Sequence, residues 1–126
     1  LVRCRNQLKA YIDSGLISDT VLMQYRRKLA DVLQRLCIMQ PAAVRYKFEY
    51  IENSILIGKT DNVKEQLEIL EKEYPDDVRL YKLYVQYYYF TNNGAGISDV
   101  ISKVKNRGIY LDSEGKQWFD AWNPDK

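Results

Sequence analysis

The chain has 126 residues, of which 46% are hydrophobic and 29% charged, as expected for one globular domain. Three prolines and six glycines argue against a loop-rich all-β fold, and two cysteines are too few for a secreted disulfide scaffold. The net charge of +2 gives no sign of nucleic acid or an anionic membrane as partner, and no apolar run is long enough to span a bilayer.

The chain begins with Leu1 instead of Met, so we expect it to be a piece of a longer protein that forms one domain over 1–126. No export signal is visible, which makes a cytoplasmic location the default expectation, although the soluble part of an anchored protein would look the same. Cys4 and Cys37 are expected either to pair or to stay as two reduced, partly buried thiols.

Two helices are predicted in the first forty residues. The first covers 1–14 and ends at Gly15. The second can be capped by Ser18 or Asp19 and extends to about Met39. Its apolar residues recur with a helical period at Leu22, Tyr25, Leu29, Val32, Leu33 and Leu36.

Two further helices follow. The third has Pro41 in its first turn and ends at Gly58, and the fourth is capped by Asp61 and ended by Pro75. Each has one apolar face, formed by Val44, Phe48, Ile51 and Ile55 in the third helix and by Val63, Leu67, Leu70 and Tyr74 in the fourth.

The fifth segment, 78–90, is apolar nearly all round and rich in tyrosine. Its composition alone also fits a strand, but its length and its place among helices favour a buried helix. Its polar residues form a single stripe, Arg79, Lys82, Gln86 and Tyr89. After a flexible turn at 92–96, a sixth helix is predicted for 97–106. A short closing helix, 114–122, follows Ser113 as its cap.

The segment 44–77 forms a 34-residue unit of helix, glycine turn, helix and proline, and the next window repeats helix, turn and helix. The stretch IGKTDNVKEQLEILEKEYPDD resembles the second helix and closing turn of a tetratricopeptide repeat, with Gly58 and Pro75 at the family's turn positions. The resemblance covers roughly 44–106. It implies an all-α fold of about three stacked antiparallel helical hairpins, a TPR-like α-solenoid with a final capping helix.

The third helix departs from the family pattern, because Lys47 and Ser54 fall where bulky residues are expected. A shift of one residue fits the apolar pattern better. With that shift, the polar stripe of the third helix is Tyr46, Glu49 and Asn53. In stacked hairpins the first helix of each pair lines the concave face. The resemblance therefore implies a partner-binding face that includes Arg79, Lys82, Gln86 and Tyr89 together with Tyr46, Glu49 and Asn53.

The chain has no histidine, so it lacks the commonest general base and metal ligand. The carboxylate pairs lie on charged helix faces or in a turn, and the two cysteines do not form a zinc ligand set. We therefore expect neither catalysis nor a cofactor nor a metal in this segment.

The leading prediction is a module that binds another protein or peptide. The alternatives are a structural spacer or dimerisation element that uses Trp118 and Trp122, and a nucleic-acid-binding domain that uses the basic residues of 26–35, although nucleic acid is not the expected partner. The two tryptophans are more simply read as a cap on the last hairpin.

Overall fold

The structure is a computed structural model that describes residues 1–15 and 18–122. Over these residues the chain forms seven α-helices and no strand, which confirms the prediction of an all-α fold. The helices are α1 (Val2–Asp13), α2 (Asp19–Met39), α3 (Val44–Leu56), α4 (Val63–Glu73), α5 (Val78–Phe90), α6 (Gly94–Asn106) and α7 (Ser113–Trp122). Among the described residues, no helix combines the length and the apolar character that crossing a membrane requires.

The contacts between Cα atoms divide the chain into two compact units, Leu1–Lys59 and Thr60–Lys126. In the first unit, α2 contacts both α1 and α3; in the second, α5 contacts α4 and α6, and α6 contacts α7. The 34-residue segment that resembles a tetratricopeptide repeat contains both α3 and α4, so the boundary between the units falls inside it. A single domain over 1–126 stays a prediction.

A side chain caps the start of α2 but not the starts of α3 and α4. The hydroxyl of Ser18 accepts a hydrogen bond from the backbone N–H of Val21 and caps α2, as predicted. By contrast, α3 begins at Val44, after a turn that contains Pro41, and α4 begins after Asn62 instead of Asp61.

The last two helices also begin differently from the prediction. The segment expected as a flexible turn at 92–96 instead contains the first turn of α6, because the side chain of Asn93 accepts a hydrogen bond from the N–H of Gly96. The carboxylate of Asp112, and not Ser113, accepts from the N–H of Gly115 at the start of α7.

The end of α3 is fixed by a glycine in the left-handed region. Gly58 has a φ of 80°, its N–H donates to the carbonyl of Ile55, and the N–H of Lys59 donates to the carbonyl of Ser54. This pair of bonds satisfies two carbonyls that would otherwise be left open at the helix end. The predicted helix end at Gly58 is thereby explained.

The core of the first unit lies along the apolar stripe of α2. Its buried side chains are Leu29, Leu33, Leu36 and Tyr46, and the side chains packed against them are Leu8, Ile12, Val32, Cys37, Ala43 and Tyr50. Cys4 and Cys37 are free thiols, the first exposed and the second partly buried.

In the second unit, α5 is the most deeply buried helix, with Leu80, Tyr81, Leu83, Tyr84 and Val85 all inside. α4 buries Val63, Leu67 and Leu70 as predicted, whereas Tyr74 is exposed. Tyr74 follows the last residue of α4, so the helical period that placed it inward has already ended there.

Candidate functional site

The three residues predicted as the polar stripe of α3 make contacts within the first unit. Tyr46 has no exposed surface. The guanidinium carbons of Arg5 and Arg45 lie 5.6 and 4.9 Å from the centroid of its ring, and Arg45 also donates to its hydroxyl at 3.0 Å. The expectation that Tyr46 faces a partner is wrong, because two cations and the core already enclose it.

Glu49 joins α3 to α1. Its carboxylate accepts hydrogen bonds from Arg5 and lies 3.5 Å from the Nζ of Lys9. Burial acts to raise the pKa of Glu49, but the hydrogen bond from Arg5 and the charge of Lys9 outweigh it and hold that pKa below its ordinary value. Glu49 therefore serves as an ionic link within the unit.

Asn53 joins α3 to α2. It is 3% exposed, and its amide nitrogen donates to the backbone carbonyl of Arg26 at 2.6 Å. Its amide oxygen is buried and has no hydrogen-bond partner among the described residues. The prediction that Asn53 lies on a polar outer stripe is wrong, because a specific bond to the backbone of α2 draws it inward.

The stripe on α5 is partly open to solvent, since Arg79 and Tyr89 are exposed and Lys82 and Gln86 are half-buried. At its start, the backbone N–H and the guanidinium group of Arg79 both donate to the carboxylate of Asp77, which caps the helix. These bonds lower the pKa of Asp77. Arg79 therefore takes part in the helix start, and the remainder of the stripe lies further along α5.

Lys82, Gln86 and Tyr89 follow one another on the same side of α5. The two tryptophans of α7 contact the first and the last residue of this row. The Nζ of Lys82 is 5.7 Å from the ring centroid of Trp118. The rings of Tyr89 and Trp122 meet edge to face, with centroids 5.2 Å apart. Between them, the amide oxygen of Gln86 is buried and unpaired among the residues that the structure describes.

Aromatic surface remains open beside these contacts. Tyr89 is 57% exposed and Phe90 49% exposed, and their rings pack edge to face. Trp118 and Trp122 are partly buried and lie 5.9 Å apart. We call the surface of α5 that is formed by Lys82, Gln86, Tyr89 and Phe90 the aromatic face; Trp118 and Trp122 of α7 lie against it.

The attachment of α7 is slight. Phe119 is its deeply buried large side chain, at 4% exposure, and it lines a cavity of 160 Å³ together with Ile101 and Val104 of α6. Burying one phenylalanine contributes about 1.5–3 kcal/mol, an aromatic pair about 0.5–1.5 kcal/mol, and an exposed cation–π contact about 0.5–1 kcal/mol. A helix of ten residues is too short to persist by itself, so α7 depends on these few contacts.

Sequence reasoning found part of this site. It identified Lys82, Gln86 and Tyr89, but it treated Trp118 and Trp122 as a separate cap and did not single out Phe90. The contact between α5 and α7 cannot be predicted from a local sequence pattern, because roughly thirty residues separate Tyr89 from Trp122 along the chain. The amphipathic pattern of α7 predicts that one of its faces is buried, but it does not predict which helix buries that face.

A second polar cluster lies around Glu71, beside a cavity of 520 Å³ lined by Glu68, Glu71, Lys72, Pro75 and Arg107. Glu71 accepts from the hydroxyl of Tyr84 at 2.9 Å and lies 3.2 and 3.1 Å from Lys103 and Arg107. Burial acts against ionisation, but the bonds from Tyr84 and Lys103 hold the pKa of Glu71 below its ordinary value. Burial and the bond to Glu71 raise the pKa of Tyr84.

The charges of this cluster compensate one another. Arg107 also donates to the hydroxyl of Tyr81 at 2.7 Å, and that hydroxyl donates to the carbonyl of Pro75. Glu71 and the four side chains that bond to it directly or through Arg107 thus have partners within the second unit. The arrangement ties α4, α5 and the end of α6 together, and the aromatic face remains the better candidate for a binding site.

No group of three or more potential metal ligands comes together in residues 1–15 and 18–122. Comparison of the chain with family models, with curated proteins and with solved structures gave no significant match.

Proposed function

We propose that this chain is a protein-interaction module, built of tetratricopeptide-like helical hairpins, that binds another protein or peptide on its aromatic face. The observation that carries the proposal is the exposure of Tyr89 and Phe90 directly beside Trp122. Large aromatic side chains that stay exposed as a group are characteristic of binding surfaces in soluble domains.

The chemistry of the face suits a peptide ligand. Tyrosine and tryptophan contribute much contact area with few rotatable bonds, and they are enriched among the residues that dominate binding energy. Lys82 adds a cation that is suited to an acidic side chain, and Gln86 adds an amide. The network around Glu71 supports the proposal indirectly, because it holds α5 rigidly in place behind the face.

The chain's side chains give no support to catalysis. The chain has no histidine, and the carboxylates with shifted pKa values, Glu49, Glu71 and Asp77, are bound to cations within their own units. We therefore propose a non-catalytic role for this segment, with no cofactor.

The test is affinity capture from a cell lysate with the intact chain and with the double variant Lys82→Glu/Tyr89→Ala. We expect a partner that the first retains and the second loses, because the variant reverses the charge of the face and removes its most exposed ring. A matched control, Lys64→Glu/Tyr74→Ala, makes the same two changes at exposed positions outside the face and outside the contact between α6 and α7. It should capture the partner as the unmodified chain does.

Circular dichroism and the melting temperature must agree among the three proteins for this comparison to be valid. Equal capture by the intact chain and by Lys82→Glu/Tyr89→Ala would exclude the aromatic face as the binding site. Equal loss in both double variants would show that the effect is general and not specific to the face.

A further inference from the structure

The helix α7 occupies part of the aromatic face through which we propose that the chain binds a partner. Its Trp118 lies on Lys82 and its Trp122 on Tyr89, so both ends of the row on α5 contact α7, although Tyr89 stays 57% exposed. We propose that α7 is a tethered occupant of this face, and that the partner is an amphipathic helix which displaces it. This inference rests on the proposed function and deepens it.

The position of α7 identifies the kind of helix that fits. Trp118 and Trp122 are four residues apart, which puts them one turn apart on one side of a helix. Their rings contact α5 residues seven positions apart, Lys82 and Tyr89. A partner helix with two aromatic side chains at this spacing would make the same two contacts, as helices that bind in grooves do through side chains on one face.

Two features indicate that α7 itself fills the face incompletely. The amide oxygen of Gln86, between the two aromatic contacts, has no hydrogen-bond donor among the described residues. The cavity of 160 Å³ beside Phe119 leaves part of the contact between α7 and α6 empty. A partner helix that supplies a carboxylate to Lys82 would add a charge-assisted bond to the cation–π contact that Trp118 makes there.

The segment that connects α6 to α7 is compatible with the release of α7 from α5. The segment 107–112 contains Gly108, whose φ of 61° is in the left-handed region, and Tyr110, which is 83% exposed. A helix held by a short tether competes with an external ligand as if it were present at about millimolar concentration. The tethered helix therefore weakens the apparent affinity for any ligand of the same chemistry.

The test uses the full chain and a fluorescein-labelled synthetic peptide with the sequence of residues 111–122. Binding is followed by fluorescence anisotropy. We expect weak binding to the unmodified chain. We expect binding about tenfold or more tighter to Phe119→Ala, because this variant removes the anchor of α7 without changing α5. Trp122→Ala, which keeps Phe119, is the second variant in case Phe119→Ala loses its fold.

Two controls define the site. The peptide with Trp118→Ala and Trp122→Ala should not bind, and Lys82→Glu/Tyr89→Ala in the Phe119→Ala background should lose the binding of the unmodified peptide. Peptide affinity that is the same for the unmodified chain, Phe119→Ala and Trp122→Ala would overturn the proposal. So would binding that survives the loss of Lys82 and Tyr89.

Two results separate this proposal from its alternatives. If Lys82→Glu/Tyr89→Ala abolishes partner capture but neither α7 variant strengthens peptide binding, the aromatic face stands and the displacement of α7 is wrong. If Phe119→Ala forms a dimer in sedimentation, and Lys82→Glu/Tyr89→Ala prevents it, the occupant is the α7 of a second copy and not the helix of another protein.

Discussion

Gly96 shows how a single residue limits the packing of the second unit. A Cβ atom added at this position would lie 2.7 Å from two ring atoms of Tyr88, which is closer than real contacts allow. The ring of Tyr88 in turn stacks on Tyr84, whose hydroxyl is bound to Glu71. The ring therefore has little freedom to move away, and the close approach of α5 and α6 requires glycine.

We expect Gly96→Ala to lower the free energy of unfolding by about 1–3 kcal/mol, the usual cost of overpacking, despite the gain in helix propensity of up to ~1 kcal/mol. Gly94→Ala is the matched control, because Gly94 is in the same helical turn and nothing lies within 4 Å of the added Cβ. It should be neutral or stabilising. Urea denaturation of the two variants measures the difference, and equal stabilities would contradict the argument.

Sequence patterns do not predict which residues make such close contacts between helices. Gly96 was interpreted as part of a flexible turn, because its neighbour Tyr88 becomes apparent only once α5 and α6 are packed. Tyr46 and Asn53 were placed outside for a related reason. The helical period assigns polar residues to the surface, whereas the partners that bury these two come from α1 and α2.

At the scale of elements, apolar periodicity predicts most of the helices in their order, and the length of the apolar run 78–90 predicts the bounds of α5. The starts of α3, α4 and α6 differed by one to three residues from the prediction. No side chain caps α3 or α4, so the three-dimensional path of the chain decides where these two helices begin.

We expect Asn93→Ala to lower the free energy of unfolding by about 1 kcal/mol, because it removes the acceptor for the N–H of Gly96 at the start of α6. Asn93→Asp keeps an acceptor oxygen and should lose at most a few tenths of a kcal/mol. Thermal and urea denaturation compare the two. If both variants lose the same free energy of unfolding, the side chain of Asn93 does not stabilise the protein by capping α6.

At the scale of the whole chain, the two units carry opposite charge. Residues 1–59 contain ten basic and five acidic side chains, whereas residues 60–126 contain nine basic and twelve acidic ones, so their net charges are +5 and −3. The overall charge of +2 conceals this difference. The three carboxylates with lowered pKa values, Glu49, Glu71 and Asp77, are distributed over both units, and each is bound to arginine.

These carboxylates determine how stability depends on pH. A lowered pKa means that the folded state favours the ionised form, so the stabilisation is present above the unfolded value of about 4 and is lost as the pH falls through the folded value. With no histidine in the chain, we expect nearly constant stability from about pH 5.5 to 7, followed by a steep loss under acid conditions.

Glu71→Gln tests the origin of this loss. The variant should be less stable than the unmodified chain near pH 7, and the difference should be smaller at about pH 4, where Glu71 of the unfolded chain becomes partly protonated while the folded state favours the ionised form. Urea midpoints at the two pH values measure it. A difference that stays constant with pH would show that the ionisation of Glu71 does not contribute to folding.

The position of the two tryptophans has a spectroscopic consequence. Trp118 and Trp122 are the chain's full complement of this residue, and both belong to α7. The indole emission of the intact protein therefore reports the environment of one short helix. Because the ring of Trp122 packs on Tyr89 at a centroid distance of 5.2 Å, release of α7 would expose this indole to water and shift its emission. An unlabelled sample thus carries its own optical readout of whether the helix is bound or released.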